Sequence, residues 1–365
     1  MVVEVVVAVV TNSICKYQTR LLLQFHITGR CNLNCKHCYR TEGNIEPLSF
    51  NDIKNVIEQY KTLLEKYNKF HKIKHKGHIN ITGGEPFIRN DIKDIIKYLG
   101  DNHEYFSFGI LSNGSFIDDT LIKLLKEAKV SFIQLSIDGD EKTHDFIRCK
   151  GDYSRVFDVA KLLQKNHIKV YISFTATKTN YKMFPKVANI CYKKHITKLW
   201  SDRLVPIGNG KEIENLEITK DIMSDYIKHM KKARGSQIKQ LLHPYTDISM
   251  NRALQFINSP GEIYLCSAGN SLITVDEFGR IMPCRRMPIY CGNIFSSTLE
   301  EVYYNNDTFK ELRMNYIPKE CTSCKYAHYC RGGAKCQSYA KYGSFHRADP
   351  SCMLKKENTN IDNIT

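Results

Sequence analysis

Apolar positions alternate between two periods along the first two-thirds of the chain. Six β-rich apolar runs, residues 21–28, 78–82, 106–111, 130–136, 169–175 and 198–205, read as strands. Between them apolar residues recur at helical spacing. Ser49 is placed to cap a helix that carries Ile53, Ile57, Leu63 and Leu64 on one side. Asn90 precedes a helix with Ile92, Ile95, Ile96 and Leu99, and Gly100 is placed to end it. Segments 118–129, 153–166 and 181–194 fill the next three gaps. Repeated β–α units favour a parallel sheet with right-handed crossovers. Six units are too few for a closed eight-fold barrel. They predict an open α/β architecture, a partial (β/α)6 TIM-like barrel.

The pattern breaks at Gly208, Asn209 and Gly210. Residues 219–234 predict a bridging helix, and from Gly261 onward Cys, Gly and Pro dominate. The chain thus divides into an N-terminal extension (1–20), a β–α core (21–215), a helical linker (216–260) and a cysteine-rich C-terminal domain (261–365), with a frayed look to the last ten residues.

Composition adds exclusions. At 42% hydrophobic and 25% charged residues the chain is not a disordered one. No apolar stretch reaches the ~18–20 residues of a membrane span. The apolar start, Val2 to Val10, contains Glu4 and has no basic residue ahead of it, so it does not read as a secretory signal. Fourteen cysteines in a chain expected to be cytoplasmic point to metal binding, because a reducing cytosol keeps disulfides rare.

Those cysteines form two groups. Cys31, Cys35 and Cys38 follow the first strand directly, on a loop at the face where such sheets carry their sites. Three thiolates within eight residues can grip three corners of a 4Fe–4S cluster and leave one iron open. The alternative is a zinc site short of a ligand, with His37 as a supplement. Cys266, Cys284, Cys291, Cys321, Cys324, Cys330, Cys336 and Cys352 form the second group. Cys15, Cys149 and Cys191 stand alone and are expected to be buried small hydrophobes.

C-x3-C-x2-C after the first strand, with Gly83-Gly84-Glu85-Pro86 after the second, resembles the radical S-adenosylmethionine (SAM) superfamily. The resemblance runs from about residue 20 to 352. It implies that SAM chelates the open iron and is cleaved reductively to a 5′-deoxyadenosyl radical, which takes a hydrogen atom from a substrate. It also implies that Gly83, Gly84 and Glu85 lie against the SAM methionine, and that His37 lies beside the adenine. Ser136, in Leu135-Ser136-Ile137-Asp138-Gly139, and Arg148 twelve residues on have the spacing of the serine and arginine that contact the SAM ribose and carboxylate in similar enzymes. Ser112-Asn113-Gly114, at another strand end, is a weaker candidate.

The second group closely resembles the SPASM extension, which carries two auxiliary 4Fe–4S clusters. By that resemblance Cys321, Cys324, Cys330 and Cys352 hold one. Cys266 and Cys284 begin the other. Where the family commonly has a further cysteine this chain has Ala334, and Cys336 is its substitute. Cys291 then completes the set; if it is free, that cluster keeps an open iron. The alternative for this group is one or two structural zinc sites.

Lys and Arg outnumber Asp and Glu by 53 to 38, a net +15, and the loaded protein stays at about +10. The lysines are scattered, so nucleic acid is not expected, and no membrane partner is. Reduced ferredoxin or flavodoxin, both acidic, are the expected electron donors.

SPASM-bearing enzymes differ in substrate. Several peptide-maturing relatives have a leader-binding domain of about ninety residues ahead of the core. The few residues here imply that a separate leader-binding protein or another surface does that work. Sulfatase-activating relatives place Asp after the cysteine matching Cys284, and this chain has Arg285 and Arg286. Those arginines either steer an acidic peptide or are solvated. The stretches 202–208 and 283–289 look most like peptide maturases. The expectation is an oxygen-sensitive oxidoreductase-type enzyme that modifies a small ribosomally made peptide, by a thioether, a carbon–carbon crosslink or similar. The alternatives are maturation of a haem-type or quinone cofactor and, outside catalysis, an iron–sulfur or zinc binding module.

Overall fold

The computed structural model describes residues 20–40, 48–250, 252–258, 264–314 and 316–354. Val2–Val10, Cys15, the start of the cysteine-rich region at 261 and the last ten residues lie outside them.

Six strands, β1 (Leu22–His26), β2 (Gly77–Thr82), β3 (Phe106–Leu111), β4 (Phe132–Ser136), β5 (Val170–Ala176) and β6 (Lys198–Arg203), pair in parallel in chain order. Each lies within the run read from the sequence, give or take a residue. The alternation has a plain cause. On β1, Leu23 and Phe25 enter the core beneath the helices while Gln24 and His26 face a central cavity. On β2, Ile79 and Ile81 do the first and Asn80 and Thr82 the second. On β4, Ile133 and Leu135 alternate with Gln134 and Ser136. One face is therefore apolar and the other polar, the period of a strand between a core and a site.

Helices cover the apolar face. The first, α1 (Phe50–His71), starts at Ser49, whose side chain accepts from Asp52 N while the Asp52 carboxylate accepts from Ser49 N, a reciprocal cap. It buries Ile53, Val56, Ile57, Tyr60, Leu63, Leu64 and Tyr67. The second, α2 (Ile92–Asp101), departs from expectation. Asp91 precedes it, and Gly100 lies inside it instead of ending it. A Cβ on Gly100 would stand 2.7 Å from Ala128 Cα, so this glycine serves close packing. Next come α3 (Asp119–Glu127), α4 (Glu141–Ile147), α5 (Asp152–Lys165) and α6 (Phe184–Lys193). The short α4 escaped the periodicity because it adds only Ile147 and His144 to the buried face.

After α7 (Lys220–Arg234) and α8 (Gln237–Leu242) the sheet resumes. A seventh strand, β7 (Asp247–Ser249), pairs parallel with β6. On the other side β8 (Leu272–Val275) pairs parallel with β1, Leu22 against Leu272 and Phe25 against Val275. Antiparallel β9 (Arg280–Met282) and β10 (Gly292–Asn293) follow, completing a ten-stranded sheet. The six strands read from the sequence are its middle. Four short helices, α9 (Leu299–Asn305), α10 (Asp307–Arg313), α11 (Ala327–Cys330) and α12 (Lys335–Tyr342), complete the cysteine-rich part. Among the described residues no helix is long and apolar enough to cross a membrane.

Candidate functional site

A cavity of about 730 Å³ opens at the polar face of the sheet. It reaches from Cys31, Cys35 and Cys38 on one side to Cys266, Cys284 and Cys336 on the other. The two cysteine groups, over two hundred residues apart in sequence, thus share one space.

The trio loop leaves β1 and is held from below. Cys38 N donates to Cys35 O, and Lys36 N donates to Ile147 O at 3.0 Å. Gly84 N donates to Thr28 O and Glu85 N to Arg30 O, both at 2.8 Å, which draws the loops after β1 and β2 together. Side chains would prevent this. A Cβ on Gly83 would lie 2.3 Å from Thr28 O, and one on Gly84 2.1 Å from Arg30 O. Gly83 also has φ +149°.

Glu85 turns away from the cavity and is fully buried. Its carboxylate accepts from Ser112 Oγ at 2.8 Å, Asn113 N at 2.7 Å and Phe87 N at 3.2 Å. Ser112 and Asn113 therefore hold the loop after β2. Burial pushes the Glu85 carboxyl up to about 7, against the pull of those three donors.

Asp138, quoted within the motif around Ser136 but given no role, organises the opposite wall. Its Oδ2 accepts from Arg148 Nε at 2.6 Å and faces His37 Nε2 at 2.8 Å, and its Oδ1 accepts from Thr175 N at 2.9 Å. Burial pushes the Asp138 carboxyl up, but the Arg148 guanidinium and His37 overcome it and hold it well below the usual carboxylate range. Arg148 reaches on to Cys35 Sγ at 3.9 Å through Nη1. His37 and Arg148 line the cavity but are both spoken for by one carboxylate. Ser136 lines it too, its Oγ 2.9 Å from Ser173 Oγ.

The second group separates into parts. Cys266, Cys284 and Cys336 pack together around Ala268, Met287 and Phe345. Cys321, Cys324, Cys330 and Cys352 line a smaller pocket of their own. Tight turns bring the latter four together: Cys324 N donates to Cys321 O, Gly333 N to Cys330 O and Cys352 N to Asp349 O. Cys291 joins neither set. Its Sγ donates to Ile289 O at 3.3 Å and it packs against the main core. Of the lone cysteines, Cys191 is buried as expected, while Cys149 is only partly covered.

Arg285 and Arg286 are neither solvated nor free to steer a ligand. Arg285 is buried and pairs with Asp276 at 3.3 Å and Glu277 at 3.1 Å. Arg286 pairs with Asp202 at 2.8 Å, joining β6 to the loop after β9. Burial pushes the Glu277 and Asp202 carboxyls up, and Arg285 and Arg286 respectively pull them down.

The donor chemistry fits iron–sulfur clusters. Burial pushes the Cys35 thiol up to about 11, with Arg148 pulling it down, and the Cys330 and Cys336 thiols up to about 12. Loading metal on such thiols must release protons. Beside Gly84, the Arg40 Nη1 donor is buried with no hydrogen-bond partner among the described residues, as a wall built to meet an anionic group requires.

Comparison with known proteins gives two family matches. The radical SAM superfamily matches residues 25–191, and an iron–sulfur cluster-binding domain, SPASM, matches residues 266–325. The AdoMet-dependent haem synthase of Methanosarcina barkeri is 24% identical over 350 residues, 92% of this chain and 96% of that protein. The mycofactocin maturase MftC of Mycolicibacterium smegmatis is 26% identical over 345 residues, 91% of this chain and 82% of that protein. In fold, the crystal structure of Streptococcus suis SuiB bound to precursor peptide SuiA is similar, with TM-score 0.69 and 17% identity over 92% of this chain and 76% of that one.

Proposed function

Because this chain belongs to the radical SAM superfamily and carries a SPASM domain, we propose that it is an enzyme that modifies a small peptide. Cys31, Cys35 and Cys38 hold the SAM-binding 4Fe–4S cluster. Cys321, Cys324, Cys330 and Cys352 hold one auxiliary cluster, and Cys266, Cys284 and Cys336 hold the other. Cys291, hydrogen-bonded to Ile289 O and packed against the main core, is left out, so three thiolates of this chain would hold that cluster. Reductive cleavage of bound SAM supplies a 5′-deoxyadenosyl radical that removes a hydrogen atom from the substrate.

The protein's own part is positioning. Gly83 and Gly84 expose backbone for the methionyl group, and Asp138 fixes His37 and Arg148 on the facing wall. Ser136 and Ser173 offer hydroxyls along the strand ends. Buried walls keep water from the reacting centre.

One observation carries the reading: a single cavity joins the trio to Cys266, Cys284 and Cys336, so a cluster held by these three would face the same space as the SAM-binding one and would supply redox chemistry there. A ferredoxin or flavodoxin supplies electrons, and a separate leader-binding protein presents the peptide. Both act in the cytoplasm.

A second reading has support of its own, since haem synthases match at nearly the same identity as the peptide maturase. In that case the substrate is a tetrapyrrole that loses carbon dioxide from a propionate. Anaerobic coexpression with neighbouring short open reading frames, followed by mass analysis, separates them. A peptide lighter by two hydrogens supports the first reading. An unmodified peptide beside decarboxylated tetrapyrrole replaces it with the second.

A further inference from the structure

Nearly every charged side chain in the large cavity is answered within the fold. Asp138 answers Arg148 and His37, Asp349 answers Arg203, Asp202 answers Arg286, and Asp247 lies 3.3 Å from Lys198. Two guanidinium groups differ. Among the described residues, Arg40 Nη1 and Arg252 Nε are buried donors with no hydrogen-bond partner, and both side chains line this cavity. Arg40 stands beside Gly84, in the space given above to SAM. Arg252 stands on the β6–β7 wall.

Arg252 is also held in place. Its guanidinium carbon lies 4.5 Å from the ring centroid of Trp200, and Trp200 Nε1 donates to Gln134 Oε1 at 3.2 Å. The indole is thereby fixed from β4, and the guanidinium rests on its face. Stacking occupies the flat side of a guanidinium, so the unpartnered Nε at its edge is left to face a planar, two-oxygen partner. Asp202, a carboxylate close enough to feel the charge of Arg252, is already bonded to Arg286. A buried cationic donor left without an acceptor is unfavourable until a ligand supplies one.

We propose that Arg252, held flat on Trp200, anchors a carboxylate of the substrate, so that this enzyme selects peptides that bring an acidic side chain or a free C-terminus into the cavity. The inference rests on the peptide reading above, because a carboxylate is the anion an unmodified peptide carries. It makes Arg252 a specificity-determining residue.

Trp200 is the chain's single tryptophan, so 5-fluorotryptophan labelling gives one ¹⁹F resonance at this place. Anaerobic holoenzyme with SAM is titrated with four probes. N-acetylglutamate α-amide and N-acetylglutamine α-amide test a side-chain carboxylate. N-acetylalanine and N-acetylalanine amide test a C-terminal one. The expected result is a saturable shift at least about tenfold tighter for one acid than for its amide, and the arm that responds names the source. Arg252→Gln abolishes the preference, and Arg252→Lys keeps part of it. Cluster absorbance reports that each variant is loaded. Equal binding of acid and amide by the wild type, or a preference that survives Arg252→Gln, overturns the inference. The readout needs no turnover, so a failure to modify peptides is a separate result from a failure to discriminate carboxylates.

Discussion

Arg203 and Asp349 form a bidentate ion pair, Nη1 to Oδ1 at 2.9 Å and Nη2 to Oδ2 at 2.5 Å, with both side chains buried. The pair ties the end of β6 to the turn that delivers Cys352. Asp349 also accepts from Ala334 N and Ser351 N, so it orders the segments on both sides of α12. Asp349→Asn leaves Arg203 without its counter-charge and should cost ~3–5 kcal/mol. Anaerobic urea denaturation measures that loss. Iron analysis should show about four irons missing, those of the cluster at Cys321, Cys324, Cys330 and Cys352.

Asp138→Asn should act on SAM instead. Two cavity residues lose their anchor, while the trio cysteines stay. Affinity for SAM should weaken by at least about tenfold, equivalent to ~1.4 kcal/mol, with iron content near that of the wild type. The SAM-induced change in the electron paramagnetic resonance of the reduced protein measures it. The Asp138 carboxyl lies below its unfolded value, so its contribution is present above pH ~3.8 and gives no slope near neutrality.

Glu85 behaves oppositely. Its carboxyl is raised from 4.5 to about 7 in the folded protein. The unfolded chain gives up this proton first, so stability falls as pH rises from about 4.5 to about 7 and is level beyond. The full change is on the order of 3 kcal/mol. Denaturation midpoints at pH 5.5, 6.5 and 7.5 should decline in the wild type, and Glu85→Gln should flatten that decline.

Gly84→Ala puts a methyl group into the Arg30 carbonyl. The loop after β2 must move by an ångström or so, and a misplacement of ~1 Å costs on the order of 10²-fold in rate. Formation of 5′-deoxyadenosine should fall by that factor. Gly343→Ala serves as the control: its Cβ meets nothing within 4 Å, so activity should be kept, while its left-handed φ of +66° should cost stability of about 1 kcal/mol.

The six middle strands, most helices and the two cysteine groups were legible because each depends on local pattern. Ile79 and Ile81 announce a strand by alternating with polar neighbours, and Ser49 announces a helix by its side chain. Among the features that were not, three show why. Gly100 looked like a helix end because a glycine that closes a helix and one that admits Ala128 are the same letter. Arg285 and Arg286 looked exposed because no period connects them to their partners: Asp202 is eighty-odd residues from Arg286 in sequence, and Asp276 and Glu277 meet Arg285 only once the chain turns between β8 and β9. Asp138 carries its role through a strand end, a loop and a helix terminus at once. Its neighbours His37 and Arg148 were found by motif, while the carboxylate that holds them was visible only when all three met.

The pairing of β1 with β8 sets an order of events during synthesis. Leu22 emerges from the ribosome long before Leu272, and until then one side of β1 has no neighbour. At ~5–20 residues per second that interval lasts tens of seconds. During it a nascent, half-built sheet presents an open edge beside three uncommitted thiols. The cell must shelter this intermediate, so the late-made segment acts as the latch that ends its vulnerability.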